Sequence, residues 1–491
     1  MNRKTNCLYI FALSFLVLSV SIIPSMSKPE NCFHPEEKWI YFIHEYKKEE
    51  FFRDIIQSRD GCYIVLTYSH NLSSGQWDIH VVCLDRYGSL KWEKLFGGNK
   101  IDSPDHIEET SDGGFIIAGD TKSYGRGDSD VWLIKTDENG NEIWNRTYGG
   151  RYGDGALYVE QTKDGGYIIS GLTMSFSWEH YVPIGWIIKT DENGNEIWNK
   201  TIGGRATYTP VWCVHQTDDG GYMIIATLCH LAHPNPNEWV GTHSDIWLIK
   251  TDENGNEIWN KTYNYSQFDV AFDATLTKDG GCVMVGLKQN LTGSENYPIM
   301  HVIKVDEEGN VEWRKAFKGK EEWGDPATFG HSIQPTSDGG YIVSGTNTAP
   351  YIVIDKIFLP YPPERLWLIK LDENGKVEWD KSYRVIGCEI TGPHTSAKQT
   401  MDGGYIAGVT LYGFYRTIYH IPVGTLVVKT DSMGKTRELQ LKLCMFMHLH
   451  WFVKQWIYLK WGYEMKSMSS QSHAWYSLIP DRLAQPIHFC R

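Results

Sequence analysis

The chain has 491 residues and a formal net charge of −13, with 41% hydrophobic and 22% charged residues. That length can bury a large core, while the acidic balance favours solubility and excludes general nucleic-acid binding. Ten cysteines are spread out with no CxxC pair, so they read as isolated thiols or occasional bridges and exclude a disulfide scaffold.

Residues 1–27 read as a signal peptide or an N-terminal anchor. Arg3 and Lys4 precede an apolar run from Leu8 to Ile23, followed by Pro24, Ser25, Met26 and Ser27. A positive start, an apolar middle and a small-residue exit are the features of an export segment. An uncleaved anchor is the alternative, because the run approaches a short membrane span. Cys32 lacks the small residues before it that a lipoprotein site needs. Both readings place the chain outside the cytoplasm, secreted or at the cell surface.

From residue 33 to 435 the sequence repeats. An Asp-Gly anchor, continued as Asp-Gly-Cys in the first copy, begins at Asp60, Asp112, Asp164, Asp219, Asp279, Asp338 and Asp402. An Asp-x-x-Gly anchor begins at Asp85, Asp137, Asp191, Asp252, Asp306, Asp372 and Asp431. A tryptophan recurs at Trp39, Trp92, Trp144, Trp198, Trp259, Trp313 and Trp379. Three markers each count seven units of just over fifty residues, a period that indicates stacked supersecondary units.

Each unit reads as four short strands. Asp-Gly between apolar runs is a hairpin signal, since glycine accepts positive φ. The run Val131-Trp132-Leu133-Ile134-Lys135 is apolar on both faces, as a strand between two layers must be. Glu142 to Tyr148 is more polar, as suits an outer strand. The expected fold is all-β: a seven-bladed β-propeller of four-stranded antiparallel blades. Trp39 precedes its Asp-Gly anchor much as Trp92 precedes the next, whereas Glu438 stands where a tryptophan should follow Asp431. The N-terminal strand is therefore expected to close the last blade.

The segments DGGYIIxG and KTDENGNEIWNKTYGG resemble the propeller repeats of large archaeal and bacterial surface proteins, over roughly residues 37 to 434. More distantly, Asp-x-x-Gly-x-x-x-Trp is similar to the tryptophan repeat of quinoprotein dehydrogenases. That family sets an adjacent cysteine pair against its quinone, and no two cysteines are adjacent here. Sialidase-type Asp boxes are absent. The resemblance implies fold and location and transfers no catalytic residue.

Unit length varies most between the Asp-Gly anchor and the Asp-x-x-Gly anchor. Asp60 to Asp85 spans 25 residues, but Asp219 to Asp252 spans 33 and Asp338 to Asp372 spans 34. The insertions fall in the second turn of each unit, so they share one face of the ring, where repeat proteins carry binding. Candidate ligand-binding residues there are Trp178, His180, Tyr181, Trp239, Tyr351, Tyr361, Tyr412 and Tyr415. Their rings suit stacking on sugars or gripping a peptide, and equally suit packing the loops on one another. His230, His233 and His243, near Cys229, are candidate metal ligands, although their spacing matches no compact zinc pattern.

Glu50, Asp102, Asp154 and Asp269 recur ten residues before their anchors. They are expected to enter the innermost strands beside the channel, either beside a cation or as caps on backbone amides. Six sequons, at Asn71, Asn145, Asn199, Asn260, Asn264 and Asn290, fit an outer surface, though three arise from the repeated Trp-Asn-(Lys/Arg)-Thr strand.

The repeat stops after Gly434. Residues 436–491 lack its turns and carry seven Lys/Arg against three Asp/Glu from Arg437 to Arg491. A basic surface helix, a small separate domain and out-of-frame translation compete, and a poorly ordered or non-native tail is the favoured reading.

No Ser/His/Asp motif, phosphate loop or recurrent carboxylate pair emerges, and no cofactor is expected beyond a channel or loop cation. The chain is read as an exported, monomeric recognition or scaffold module for a protein or glycan ligand, touching membrane only through its ends. The alternative is a glycan-active hydrolase or lyase with acids in the funnel.

Overall fold

The computed structural model describes residues 38–43, 48–177, 182–205, 207–231, 241–290, 297–319, 327–348, 353–354, 357–358, 364–383, 388–413 and 424–436. Among them every regular element is a β-strand. The N-terminal segment expected to direct export and the tail beyond residue 436 lie outside the described residues.

The strands follow the repeat. Residues 48–96, 102–148, 154–202 and 328–383 each form a four-stranded antiparallel sheet. Residues 211–263 and 268–317 form two further four-strand sets. One parallel bridge, Ser244 to Phe268, joins them into a nine-stranded sheet that also holds Thr207–Tyr208. The last sheet contains Cys388–Gln399, Tyr405–Gly413 and Gly424–Thr430, and its fourth strand is Trp39–Ile43, with Trp39 opposite Lys429. The first strands of successive units pack side by side, and Cys388–Gln399 packs against Lys48–Gln57.

The recurring residues are explained by hydrogen bonding. Asp112 Oδ1 accepts from Thr110 Oγ1 at 2.6 Å, Gly114 N at 3.0 Å and Lys135 Nζ at 3.0 Å. Lys135 is 4% exposed and also donates to the Thr136 carbonyl at 2.8 Å. A buried ammonium is tolerated when its protons are all placed this way. The same pair recurs as Lys189–Asp164, Lys250–Asp219, Lys304–Asp279, Lys370–Asp338 and Lys429–Asp402. The first unit departs from it. Cys83 stands in the lysine's place, and Lys91 from the neighbouring strand reaches Asp60 at 3.3 Å and Cys62 Sγ at 3.0 Å.

The Asp-x-x-Gly turn and the tryptophan form one device between units. Asp137 Oδ1 accepts the amides of Asn139 at 2.9 Å and Asn141 at 2.8 Å, while Gly140 takes φ +73°. The Trp92 ring of the preceding unit lies against that glycine, and Trp144, Trp198, Trp259, Trp313 and Trp379 repeat the contact on Gly194, Gly255, Gly309, Gly375 and Gly434. Trp39 lies on Gly88 in the same manner. A side chain on the glycine would displace the ring, so the two anchors recur together.

The Asp-Gly turns that follow the first strands leave amides that need partners outside their own hairpins. Neighbouring side chains supply them: Gln161 Oε1 accepts Ser111 N at 2.7 Å, Gln216 accepts Lys163 N at 2.8 Å, and Gln399 accepts Ser337 N at 2.7 Å. Gln57 accepts Met401 N at 2.8 Å, which ties the first unit to the last.

Candidate functional site

Three of the four recurrent acids cap backbone amides. Asp154 accepts Thr173 Oγ1 at 2.5 Å, Ser175 Oγ at 2.6 Å and Gly150 N at 2.9 Å. Asp102 takes the corresponding bonds from Thr121, Ser123 and Gly98. Glu50 accepts Thr67 and Ser69 hydroxyls, both at 2.7 Å, and meets His80 Nδ1 at 3.2 Å. Asp269 Oδ2 accepts Tyr265 N at 2.8 Å and Ser266 N at 2.7 Å. All four are 2% exposed or less; Asp102, Asp154 and Asp269 hold backbone amides, Glu50 meets side chains, and Asp269 keeps one oxygen, Oδ1, without a partner among the described residues.

Other residues gather on the first strands, at positions four and six before the Asp-Gly anchor. Asp54 Oδ2 lies 3.5 Å from His106 Nε2, and the His106 ring packs 4.1 Å from that of Tyr158. Tyr158 Oη is 3.3 Å from His215 Nδ1, which pairs with Glu160 at 2.8 Å, while His215 Nε2 meets the Ala274 carbonyl at 2.9 Å. Glu108 accepts Gln161 N at 2.8 Å. Burial pushes Glu108 up to about 7 and His106 down to about 4. Burial opposes the charge on His215, but its bonds to Cys213 and Glu160 raise it well above the ordinary imidazole range. These first-strand residues thus include an imidazole pushed towards its neutral form, a carboxyl raised towards neutrality and a histidine held towards its charged form, within three adjacent units. Groups whose environments drive their acidities apart can divide acid and base roles. These positions vary between units, and that variation within a fixed strand was the signal available in the sequence.

The second-turn face carries a different chemistry. Trp178, His180, Tyr181, Trp239, Tyr351, Tyr361, Tyr415 and His233 lie outside the described residues, and Tyr412 stands opposite Glu389 in its strand. An aromatic group not singled out from the sequence lies on the first unit. His70 stacks on Trp77 at 3.9 Å, Tyr68 lies 4.5 Å from the same indole, and Phe51 is 5.4 Å away. All four are partly exposed, and the Arg53 guanidinium sits 5.6 Å from the Tyr68 ring. Of the histidines expected to bind metal, His230 and His243 come together as a cross-strand pair whose rings stack at 4.4 Å, beside Asp245.

The repeated sequon asparagines have structural work. Asn145, Asn199 and Asn260 each accept an indole N–H at 3.2 Å, from Trp132, Trp186 and Trp247, and donate to Glu142, Glu196 and Glu257. Asn71 caps Ser73 N at 2.9 Å, Asn290 accepts Gln267 N at 3.3 Å, and Asn264 is exposed. A crevice of about 300 Å³ lies between the third and fourth units and is lined by Trp198, Tyr222 and Trp247, among others.

No family model matches the chain, and no curated protein matches it in sequence. Solved structures do. The chain is similar to the β-propeller domain of the Trilobed protease from Pyrococcus furiosus, with 11% identity over 81% of this chain and 99% of that one and a TM-score of 0.43. A europium-containing methanol dehydrogenase shares 10% identity over 80% of this chain and 93% of its own, with a TM-score of 0.38. An ulvan lyase of a new polysaccharide lyase family, bound to a saccharide, shares 9% identity over 80% of this chain and 97% of its own, with a TM-score of 0.50. At such identities the likeness speaks to fold alone. The repeated four-stranded antiparallel sheets, with their first strands packed side by side, make this chain a β-propeller protein.

Proposed function

We propose that the chain is an exported, cell-surface propeller of seven blades that acts as a recognition or scaffold module, with its ligand held on the second-turn face. The apolar run from Leu8 to Ile23 behind Arg3 and Lys4 supports export. Pairing of Trp39–Ile43 with Gly424–Thr430, and the Gln57 bond to Met401, support closure of the ring by the N-terminal strand. One observation carries the functional reading. Most recurring polar residues are occupied by bonds between strands and units, whereas inserted length and the partly exposed rings of Tyr68, His70 and Trp77 share the second-turn face. Aromatic faces with polar neighbours suit a saccharide or an extended peptide.

A glycan-active hydrolase or lyase is the second reading, favoured by Glu108 and His106 beside Tyr158 on the channel wall. Here His106 would take a proton and Glu108 or Tyr158 would return one. Probing a glycan array with the purified chain, alongside polysaccharide breakdown assays, separates the two. Binding without turnover, lost in Trp77→Ala, supports the module. Turnover lost in His106→Gln but kept in Trp77→Ala overturns it in favour of the enzyme.

A further inference from the structure

Asp130 opens the third strand of its unit, and Asp245 holds the corresponding place within the longer strand Gly241–Thr251, each followed by an apolar residue and a tryptophan. Asp130 Oδ2 accepts the second-turn amides of Arg126 at 2.6 Å and Gly127 at 3.0 Å. In the 211–263 unit that turn is longer, and Asp245, 7% exposed, has a buried Oδ1 without a hydrogen-bond partner among the described residues.

The adjoining strand repeats the departure. Where Asp154 is met by the hydroxyls of Thr173 and Ser175, Asp269 stands opposite Lys288, and its Oδ1 is buried without a partner among the described residues. The bridge between Ser244 and Phe268 puts these two aspartates at the next position along each strand. Burying carboxylate oxygens without a donor is unfavourable unless a cation or proton compensates.

Beside them stands a pair of imidazoles. His230 and His243 face each other across the hairpin, with rings 4.4 Å apart and inclined by 21°. Nitrogen atoms of both rings and a carboxylate oxygen of Asp245 all lie within 4.8 Å of one another. Cys213, His215 and Asp273 are similarly close, but both His215 nitrogens already meet Glu160 and the Ala274 carbonyl. That second cluster has no ring nitrogen to spare.

We propose that His230, His243 and Asp245 bind a divalent transition-metal ion, zinc foremost, with Asp269 supplying further negative charge nearby. Two imidazoles and a carboxylate are nitrogen-rich donors of the kind that suit zinc over calcium or magnesium, and three protein ligands leave a position open. The two histidines stand at the stem of the hairpin whose connection runs through residues 232–240, so the ion would fix that stem on the recognition face. The site does not depend on which ligand that face takes.

The test uses the untagged full chain, freed of metal with a chelator and titrated with zinc, cobalt(II) and calcium by calorimetry. One equivalent of zinc or cobalt is expected, with calcium not competing. His230→Ala and His243→Ala are expected to weaken zinc binding at least about ten-fold, and Cys213→Ala to leave it unchanged. X-ray absorption on the zinc-loaded native chain should show nitrogen and oxygen neighbours at about 2.0–2.1 Å, which keeps the test open if a variant does not fold. Absence of stoichiometric zinc, undiminished binding in both histidine variants, or sulfur at about 2.3 Å in the metal shell would overturn the proposal.

Discussion

The ring of Trp144 covers Gly194 of the next unit so closely that a Cβ on that glycine would lie 2.8 Å from the ring's Cζ3. Gly194 also has φ +73°, and Tyr148 Oη donates to its carbonyl at 2.6 Å. One residue thus serves a turn, a ring contact and a hydrogen bond between units. Gly194→Ala is expected to cost about 2–4 kcal/mol, from the strained φ and the overpacked ring together. Gly165, at φ +85° with nothing within 4 Å of an added Cβ, separates the two causes. Gly165→Ala is expected to cost only about 1 kcal/mol. Equal losses in chemical denaturation would remove the ring contact from the explanation.

Trp39 is 7% exposed, packs edge-on to Tyr63 at 5.3 Å and donates Nε1–H to the Arg86 carbonyl at 3.1 Å. Trp39→Ala is expected to lose about 3–5 kcal/mol, as other buried tryptophans do. Deleting residues 33–48 should be worse, because it also leaves Gly424–Thr430 as an unpaired edge. Truncation after Thr436 should leave the unfolding midpoint where it was. A midpoint unmoved by the N-terminal deletion would reject the shared sheet as a source of stability.

His80 gives stability a pH dependence. Burial opposes its charge, but hydrogen bonds to Glu50 and Glu93 raise it from 6.5 to about 9. Folding therefore binds the proton more tightly, so the contribution is whole below pH 6.5 and fades as pH rises through 9. Denaturation midpoints followed across that interval should fall in the native chain and change less in His80→Gln. Parallel slopes would show that another group titrates.

Asn199 joins Trp186 and Glu196 across two strands. Asn199→Ala should cost about 1 kcal/mol, leaving the indole N–H to solvent. No change in midpoint would make the repeated asparagine a surface choice.

The repeat was legible because its markers answer local needs that recur in every unit. Gly140 follows from positive φ, Asp137 from two amides awaiting an acceptor, and Lys135 from the carboxylate of Asp112. The contact of Trp92 with Gly140 joins residues far apart in sequence, so the sequence showed that they recur together without showing that they touch. The wall group was harder to see. His106, Tyr158 and His215 come from three units, and their proximity follows from the side-by-side packing of first strands. Asp245 escaped notice for a related reason: what distinguishes it from Asp130 is the partner its shared position has lost.

The first unit's exchange of partners has an evolutionary consequence. Lys91 now reaches Asp60 and the Cys62 sulfur, while Cys83 fills the place held elsewhere by a lysine. Restoring only that lysine would bring a second ammonium towards a carboxylate already engaged, and removing only Lys91 would strip Asp60 of its cation. Each single step back towards the common pattern is therefore penalised by the residues that accompanied the departure. Sequence exchange between this unit and its siblings is therefore expected to disturb the hairpin least when Asp60, Cys62, Cys83 and Lys91 travel together.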